Sequence, residues 1–196
     1  MGYTTDFEGG FEFSRPLTID ENNYIKKFNE TRRMKRNVEK LYELFKGEHG
    51  NPFLPKEETY GNDGEYFVGG SGFAGQDKDD SIVDYNTPPG QLDFLTADFN
   101  ERWTQNDLRT REGKCQPGLW CQWITNEDGT RLMWDGGEKF YNYCEWLNYL
   151  INHFFEKWGV KLNGEVYWKG EESEDMGKIV VKDNKVIVKY ARVTYD

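Results

Sequence analysis

Four of the five residues from Arg32 to Arg36 are cationic: Arg32, Arg33, Lys35 and Arg36. Guanidinium groups present planar forks of N–H donors that bond carboxylate or phosphate oxygens in pairs, so such a run suits a clamp for an anion. It serves equally as a solvated helix face that balances acidic neighbours. Further on, Gly69, Gly70, Gly72 and Gly75 place four glycines in seven positions. Lacking side chains, Gly70 and Gly72 can turn backbone amides towards a phosphate. The loop lacks the Gly-Lys-Ser/Thr ending of a phosphate-binding loop and has no clear helix behind it, so a turn between strands is the simpler account. A third group is aromatic. In Leu119-Trp120-Cys121-Gln122-Trp123, strand alternation sets Trp120 and Trp123 on opposite faces. With Trp120 in the core, Trp123 is expected partly outside, where together with Tyr141 it would stack a base or anchor a partner protein.

Other chemistry-bearing residues have simpler explanations. Asp77, Asp79, Asp80 and Asp84 are the residue type that hard cations take, but Ile82 stands where the calcium-loop pattern needs glycine, and Pro88 where it needs the closing glutamate. No metal site is expected. There are two histidines, His49 and His153, and no serine lies in a nucleophile-elbow context. Cys115, Cys121 and Cys144 lack the paired spacing of a zinc or redox motif. Apolar surroundings at Cys121 and Cys144 should raise their thiol pKa values, which argues for structural cysteines. Asp135 and Glu138 form a conceivable acid/base pair, yet a capping role explains both. No catalytic residue is assigned, no cofactor is expected, and the balance leans away from an enzyme.

The elements that must hold these residues follow from composition and periodicity. A chain of 196 residues, 31% charged and 16% aromatic, with a mean hydropathy of -0.90, reads as one aromatic-packed domain spanning 1–196. Six of its seven tryptophans fall between Pro117 and Trp168, which marks that stretch as the packed heart of the fold. No basic, apolar leader and no membrane-length apolar run is seen, so a cytoplasmic location is expected and no membrane. Net charge is -10, but residues 26–40 hold seven cations and two acids, a local +5 that leaves -15 elsewhere. This stretch is read as the only positive island. The acidic remainder disfavours nonspecific nucleic-acid binding.

Partial alternation over Tyr3 to Phe13 predicts a strand, with a bulge at Gly9-Gly10. Thr18 and Glu21 have capping-box spacing. Tyr24, Phe28, Thr31, Met34, Val38, Leu41 and Phe45 then recur at helical steps, predicting a long helix to Gly47, with or without a break. Short strands are predicted at 65–68 and 81–85. Residues 92–114 are polar and helical in texture and read as a peripheral insertion. A hairpin pairs 119–125 with 131–134 around Asn126-Glu127-Asp128-Gly129. Asp135 is then expected to cap a core helix from Glu138 to Trp158, ended by Gly159. Strands at 162–169, 178–182 and 185–190 close the chain, the last two joined at Asp183-Asn184. Runs of strands between two long helices predict an α+β fold on a mainly antiparallel sheet.

Several blocks resemble an uncharacterised family of short acidic bacterial and bacteriophage proteins. They are Met1 to Phe7, Thr31 to Arg36, Tyr66 to Gly69 on to Gln76, Asp84 to Asn86 with Pro88-Pro89, Gln116 to Trp123, Trp134 to Tyr141 and Leu162 to Val166. Residues 92–115 depart from that pattern as an insertion. The resemblance implies a phage or bacterial source and no particular activity. The favoured expectation is a non-enzymatic cytoplasmic binding protein, phage-derived and acting in the host cytoplasm, that occupies or inhibits a host protein in takeover or anti-defence. The alternative is a protein or small enzyme holding an anionic nucleotide-type ligand on Arg32, Arg33, Lys35 and Arg36, with Gly70, Gly72, Trp123 and Tyr141 as platform.

Overall fold

A computed structural model describes residues 2–69, 79–92, 99–192 and 194. In chain order its elements are β1 (Thr5–Phe13), α1 (Ile19–Glu30), β2 (Lys35–Arg36), α2 (Val38–Phe45), β3 (Ile82–Asp84), α3 (Phe99–Arg111), β4 (Trp123–Thr125), β5 (Arg131–Trp134), α4 (Tyr143–Leu150), β6 (Leu162–Gly170), β7 (Met176–Lys182) and β8 (Lys185–Tyr190). The fold is α+β, as the order of elements predicts. Contacts group the chain into two compact units, residues 1–22 with 122–196 and residues 23–121, with one division falling inside α1. Among the described residues no helix is long and apolar enough to cross a membrane.

The first unit is a six-stranded sheet in the order β4-β5-β1-β6-β7-β8, antiparallel throughout. β1 pairs with β6 without interruption from Thr5 opposite Gly170 to Phe13 opposite Leu162, so the expected bulge at Gly9-Gly10 is absent. Gly9 instead permits close approach: at φ 109, a Cβ there would lie 2.6 Å from the Glu165 carbonyl oxygen. One face of the sheet buries Phe11, Phe13, Leu162, Val166, Trp168, Ile179 and Val181, while Glu8, Glu12, Glu165 and Lys169 on the other are exposed. That is the period-two pattern of a sheet covered on one side. Helix α4 packs against β4 and β8, and Trp146, Leu147 and Ile151 are all but inaccessible.

The second long helix differs from expectation at both ends. Positive φ at Gly136, Lys139 and Asn142 forbids helix before Tyr143, and the Asp135 carboxylate accepts the Gly137 amide instead of capping a helix. After Leu150 the helix widens to a π-helical turn, Ile151–Phe155, closed by the Glu156 amide on the Ile151 carbonyl at 3.0 Å. Adjacent Phe154 and Phe155 are both fully buried there, a placement that the extra residue per turn favours over regular α geometry. Gly159, at φ 69, ends the segment as its residue type suggests.

In the second unit the first long helix is broken. Residues 31–34 leave helical geometry after α1. The Thr31 hydroxyl bonds back to the Lys27 carbonyl at 2.7 Å, and the Arg33 amide reaches the Leu119 carbonyl at 2.8 Å. Asn37 restarts a helix by accepting the Lys40 amide at 2.9 Å. β2 pairs with β3 in a separate two-stranded sheet. The expected strand at 65–68 is turn and coil, because the Phe67 amide turns back to the Gly64 carbonyl while the Glu65 and Phe67 carbonyls accept from the Arg33 side chain rather than from a neighbouring strand. Leu41, Tyr60 and Phe67 form a buried cluster under Val38, Tyr42 and Phe45. Helix α3 occupies the stretch read as an insertion and leaves Trp103 and Leu108 exposed.

Candidate functional site

The cationic run, read as either an anion clamp or a solvated helix face, is turned inward. Arg33, 1% exposed, bonds the Glu65 and Phe67 carbonyls at 2.6 and 2.7 Å and the Gln116 side chain at 3.1 Å. Its guanidinium lies 4.0 Å from the centre of the Phe28 ring. Arg36, equally buried, donates to Asp79 and to the Ser81 hydroxyl, with Phe67 below it at 4.3 Å. Its other terminal nitrogen is buried without a hydrogen-bond partner among the described residues. Lys35 meets the Gln91 carbonyl at 3.1 Å and Asp63 at 3.6 Å. Arg32, half-buried, stacks on Tyr85 at 4.1 Å. Four cations thus tie loops together, an assignment that a charge count cannot distinguish from a ligand clamp.

Trp123 is fully buried, contrary to the expected outward placement. β4 begins only at Trp123, so alternation does not run back to Trp120, which is half-buried. The Trp123 indole donates to the Tyr143 carbonyl at 2.9 Å and meets Phe7, Phe11 and Phe140 edge-on. Tyr141 is 51% exposed, and its hydroxyl accepts the Tyr3 amide. Gly70, Gly72 and Asp77 lie outside the described residues. Asp79 and Asp84 are occupied by Arg36 and Ser81, and by Thr87 and the Asn86 amide. No group of three metal-ligating side chains converges among the described residues. His153 stacks on buried Tyr149 at 4.0 Å. Burial pushes the Cys144 thiol up to about 12 and raises that of Cys115, which suits structural cysteines.

A surface that sequence reasoning missed lies at the C-terminal end of the first unit. Residues 176–192 contain Lys178, Lys182, Lys185, Lys189 and Arg192 against Asp183 alone, a second positive island of +4. A running charge tally over that window would have found it. The strands that carry it are fixed locally. Asp183 and Asn184 adopt φ 47 and 68, the left-handed pair of a tight hairpin turn. The turn is pinned by the Leu162 amide on the Asn184 side chain at 2.6 Å and the Asp183 amide on that of Asn163 at 2.8 Å.

Towards the open ends of these strands lies a cleft of about 360 Å³ whose walls include Tyr167, Trp168, Met176, Gly177, Lys189 and Tyr190. Gly177 is required there: the Trp168 indole and the Lys189 carbonyl occupy the space of any side chain. Trp168 is oriented by its N–H on Asp175 at 3.2 Å and meets Tyr190 edge-on at 5.6 Å. Tyr167 and Tyr190 are 52% and 77% exposed. Lys178 bonds Glu165 at 2.9 Å and sits over the Tyr167 ring; that bond holds the Lys178 pKa above, and the Glu165 pKa below, their ordinary values. Lys182, Lys185, Lys189 and Arg192 are exposed and make no ion pair with a described residue. Exposed rings near Lys185, Lys189 and Arg192 are an arrangement for contact with an anionic, partly apolar surface. No family model, curated protein or solved structure matches this chain.

Proposed function

We propose that the chain is a non-enzymatic binding protein whose contact surface is the cleft and lysine-studded edge formed by β6, β7 and β8. The observation that carries this reading is the exposure of Tyr167 and Tyr190 on strands whose Lys185 and Lys189, unlike Lys178, form no ion pair with a described residue. Exposed aromatic anchors ringed by polar groups are the usual energetic centre of a protein interface. If the chain is phage-encoded, as the resemblance implies, the partner is a host protein in the host cytoplasm. Occupying that protein is then the whole action, as takeover or anti-defence requires. The anionic nucleotide-type ligand is the weaker reading, because a ligand on Arg33 would displace bonds to Glu65, Phe67 and Gln116.

A photoreactive benzoylphenylalanine placed at position 190 should crosslink a discrete partner in host lysate, while the same probe at 103, on exposed Trp103, should not. Affinity capture of that partner by the probe-free chain should be abolished by Tyr167→Ser with Tyr190→Ser. Crosslinking from 103 alone, or capture unchanged by the double substitution, overturns the reading.

A further inference from the structure

β8 is the last strand of its sheet, paired with β7 on one side and with no described strand on the other. The phase of the ladder decides which of its backbone groups are free. The Ala191 amide bonds the Met176 carbonyl at 2.9 Å. In an antiparallel pair hydrogen-bonded and non-bonded positions alternate. Counting back along the register, Lys189, Ile187 and Lys185 face Lys178, Val180 and Lys182 in bonded pairs. Val186, Val188 and Tyr190 therefore turn their N–H and C=O groups to the open edge.

The side chains follow the same alternation. Val186 and Val188 stand opposite Val181 and Ile179, which are buried, so Val186, Val188 and Tyr190 share the helix-covered face. Lys185, Ile187 and Lys189 share the other. Val188 and Tyr190 remain 36% and 77% exposed, and Ile187 46%.

We propose, building on the binding function above, that β8 takes up an extended acidic segment of the partner protein as a seventh strand. Main-chain groups of Val186, Val188 and Tyr190 supply the bonds, and side chains supply the choice, as in strand addition generally. Beside Lys185, Ile187 and Lys189 the segment carries acid, apolar, acid. On the other face it places apolar residues next to Val186, Val188 and Tyr190. The recognised pattern, read opposite residues 185 to 190, is therefore acid, three apolar residues, acid, apolar. A second copy of this chain is the wrong occupant. Edge-to-edge pairing of two β8 strands gathers Lys185 and Lys189 of both copies on one face, and like charges across a strand pair are destabilising. Single-stranded nucleic acid would use the lysines and tyrosines but leave the edge amides and carbonyls unmatched, against a chain whose remainder carries -14.

The test uses the full chain and a labelled ten-residue peptide with that pattern at its centre, followed by fluorescence anisotropy. Saturable binding is expected, with at least tenfold weaker binding to a peptide whose acids are lysines. Lys185→Glu with Lys189→Glu should reverse this preference. Val188→Pro removes an edge amide that β7 does not use, so it should weaken binding at least tenfold while far-UV circular dichroism is unchanged. Should that variant unfold, the peptide gives the same information: N-methylation of the amides that face β8 should abolish binding, and methylation of the alternate amides should not. Equal binding of both methylated peptides, no preference for acid over lysine, no saturable binding, or peptide-induced dimerisation each overturns the proposal. A Tyr190 crosslink that survives such a result leaves the binding function standing and excludes strand addition alone.

Discussion

Two stretches of this chain have nearly the same charge and opposite fates. Residues 26–40 carry +5 and residues 176–192 carry +4. In the first, Arg33 and Arg36 are 1% and 2% exposed and hold loop carbonyls, Gln116, Asp79 and Ser81. In the second, Lys185 and Lys189 stand in solvent on the edge strand β8, and Lys182 at the end of β7 beside it. The difference is one of side-chain chemistry and backbone context. A planar guanidinium with five donors can satisfy several buried acceptors at once, and its flat face packs on Phe28 or Phe67. A lysine ammonium is strongly hydrated and stays in water unless paired. Arg33 in irregular chain and Arg36 in the short strand β2 become internal struts; lysines spaced along β8 become surface.

The sharpest way to break that comparison is to remove a strut. Arg33→Leu should cost about 3 to 5 kcal/mol in urea denaturation, since it strands the buried Phe67 carbonyl and the Gln116 side-chain oxygen without their donor and leaves the Glu65 carbonyl only its bond from Gln116. A loss below about 0.5 kcal/mol would place Arg33 among ordinary surface charges.

A second prediction extends the contrast to a carboxylate. Burial raises the Glu21 pKa, but two bonds from Arg15, one from the Thr18 amide and one from its hydroxyl outweigh it, leaving the group below its usual 4.5. A depressed folded-state pKa adds stability that is present above the unfolded value and lost as pH falls through the folded one. Glu21→Gln should therefore cost about 1 to 2 kcal/mol at neutral pH. The gap to the native chain should close on acidification below pH 4.5. A gap independent of pH would show that packing, not charge, makes Glu21 matter.

The smallest effect is expected at the second island. Lys182→Gln with Lys185→Gln should shift stability by no more than about 0.5 kcal/mol, as for other exposed charges away from caps and cores. A larger loss would mean that these lysines are structural and that the two stretches are alike after all.

Much of the framework was legible from local pattern. β5 and β8 fall where alternation puts them, the Thr18–Glu21 box closes in both directions, and the Asp183-Asn184 turn has the conformation its residue types favour. These depend on neighbours within a few residues. The breaks did not reveal themselves to periodicity. The apolar stripe from Tyr24 to Phe45 is consistent with one helix, and Asn37 was the overlooked signal that a new helix starts. Trp123 was misplaced because a strand was extended four residues too far, back to Leu119, so that alternation was carried through residues that are not strand.

The sequence by itself determined the antiparallel α+β character, the aromatic core, the closing hairpin and the sum of charge in each window, because periodicity, turn chemistry and composition are local properties. Only the tertiary structure decided which cations are used up inside the protein and which are free. That depends on where distant carbonyls fall, Glu65 and Phe67 around Arg33 in one unit, while Lys189 in the other is exposed and bonded to no described carbonyl. It also depends on which strand ends the sheet, and so which backbone groups are left without a partner.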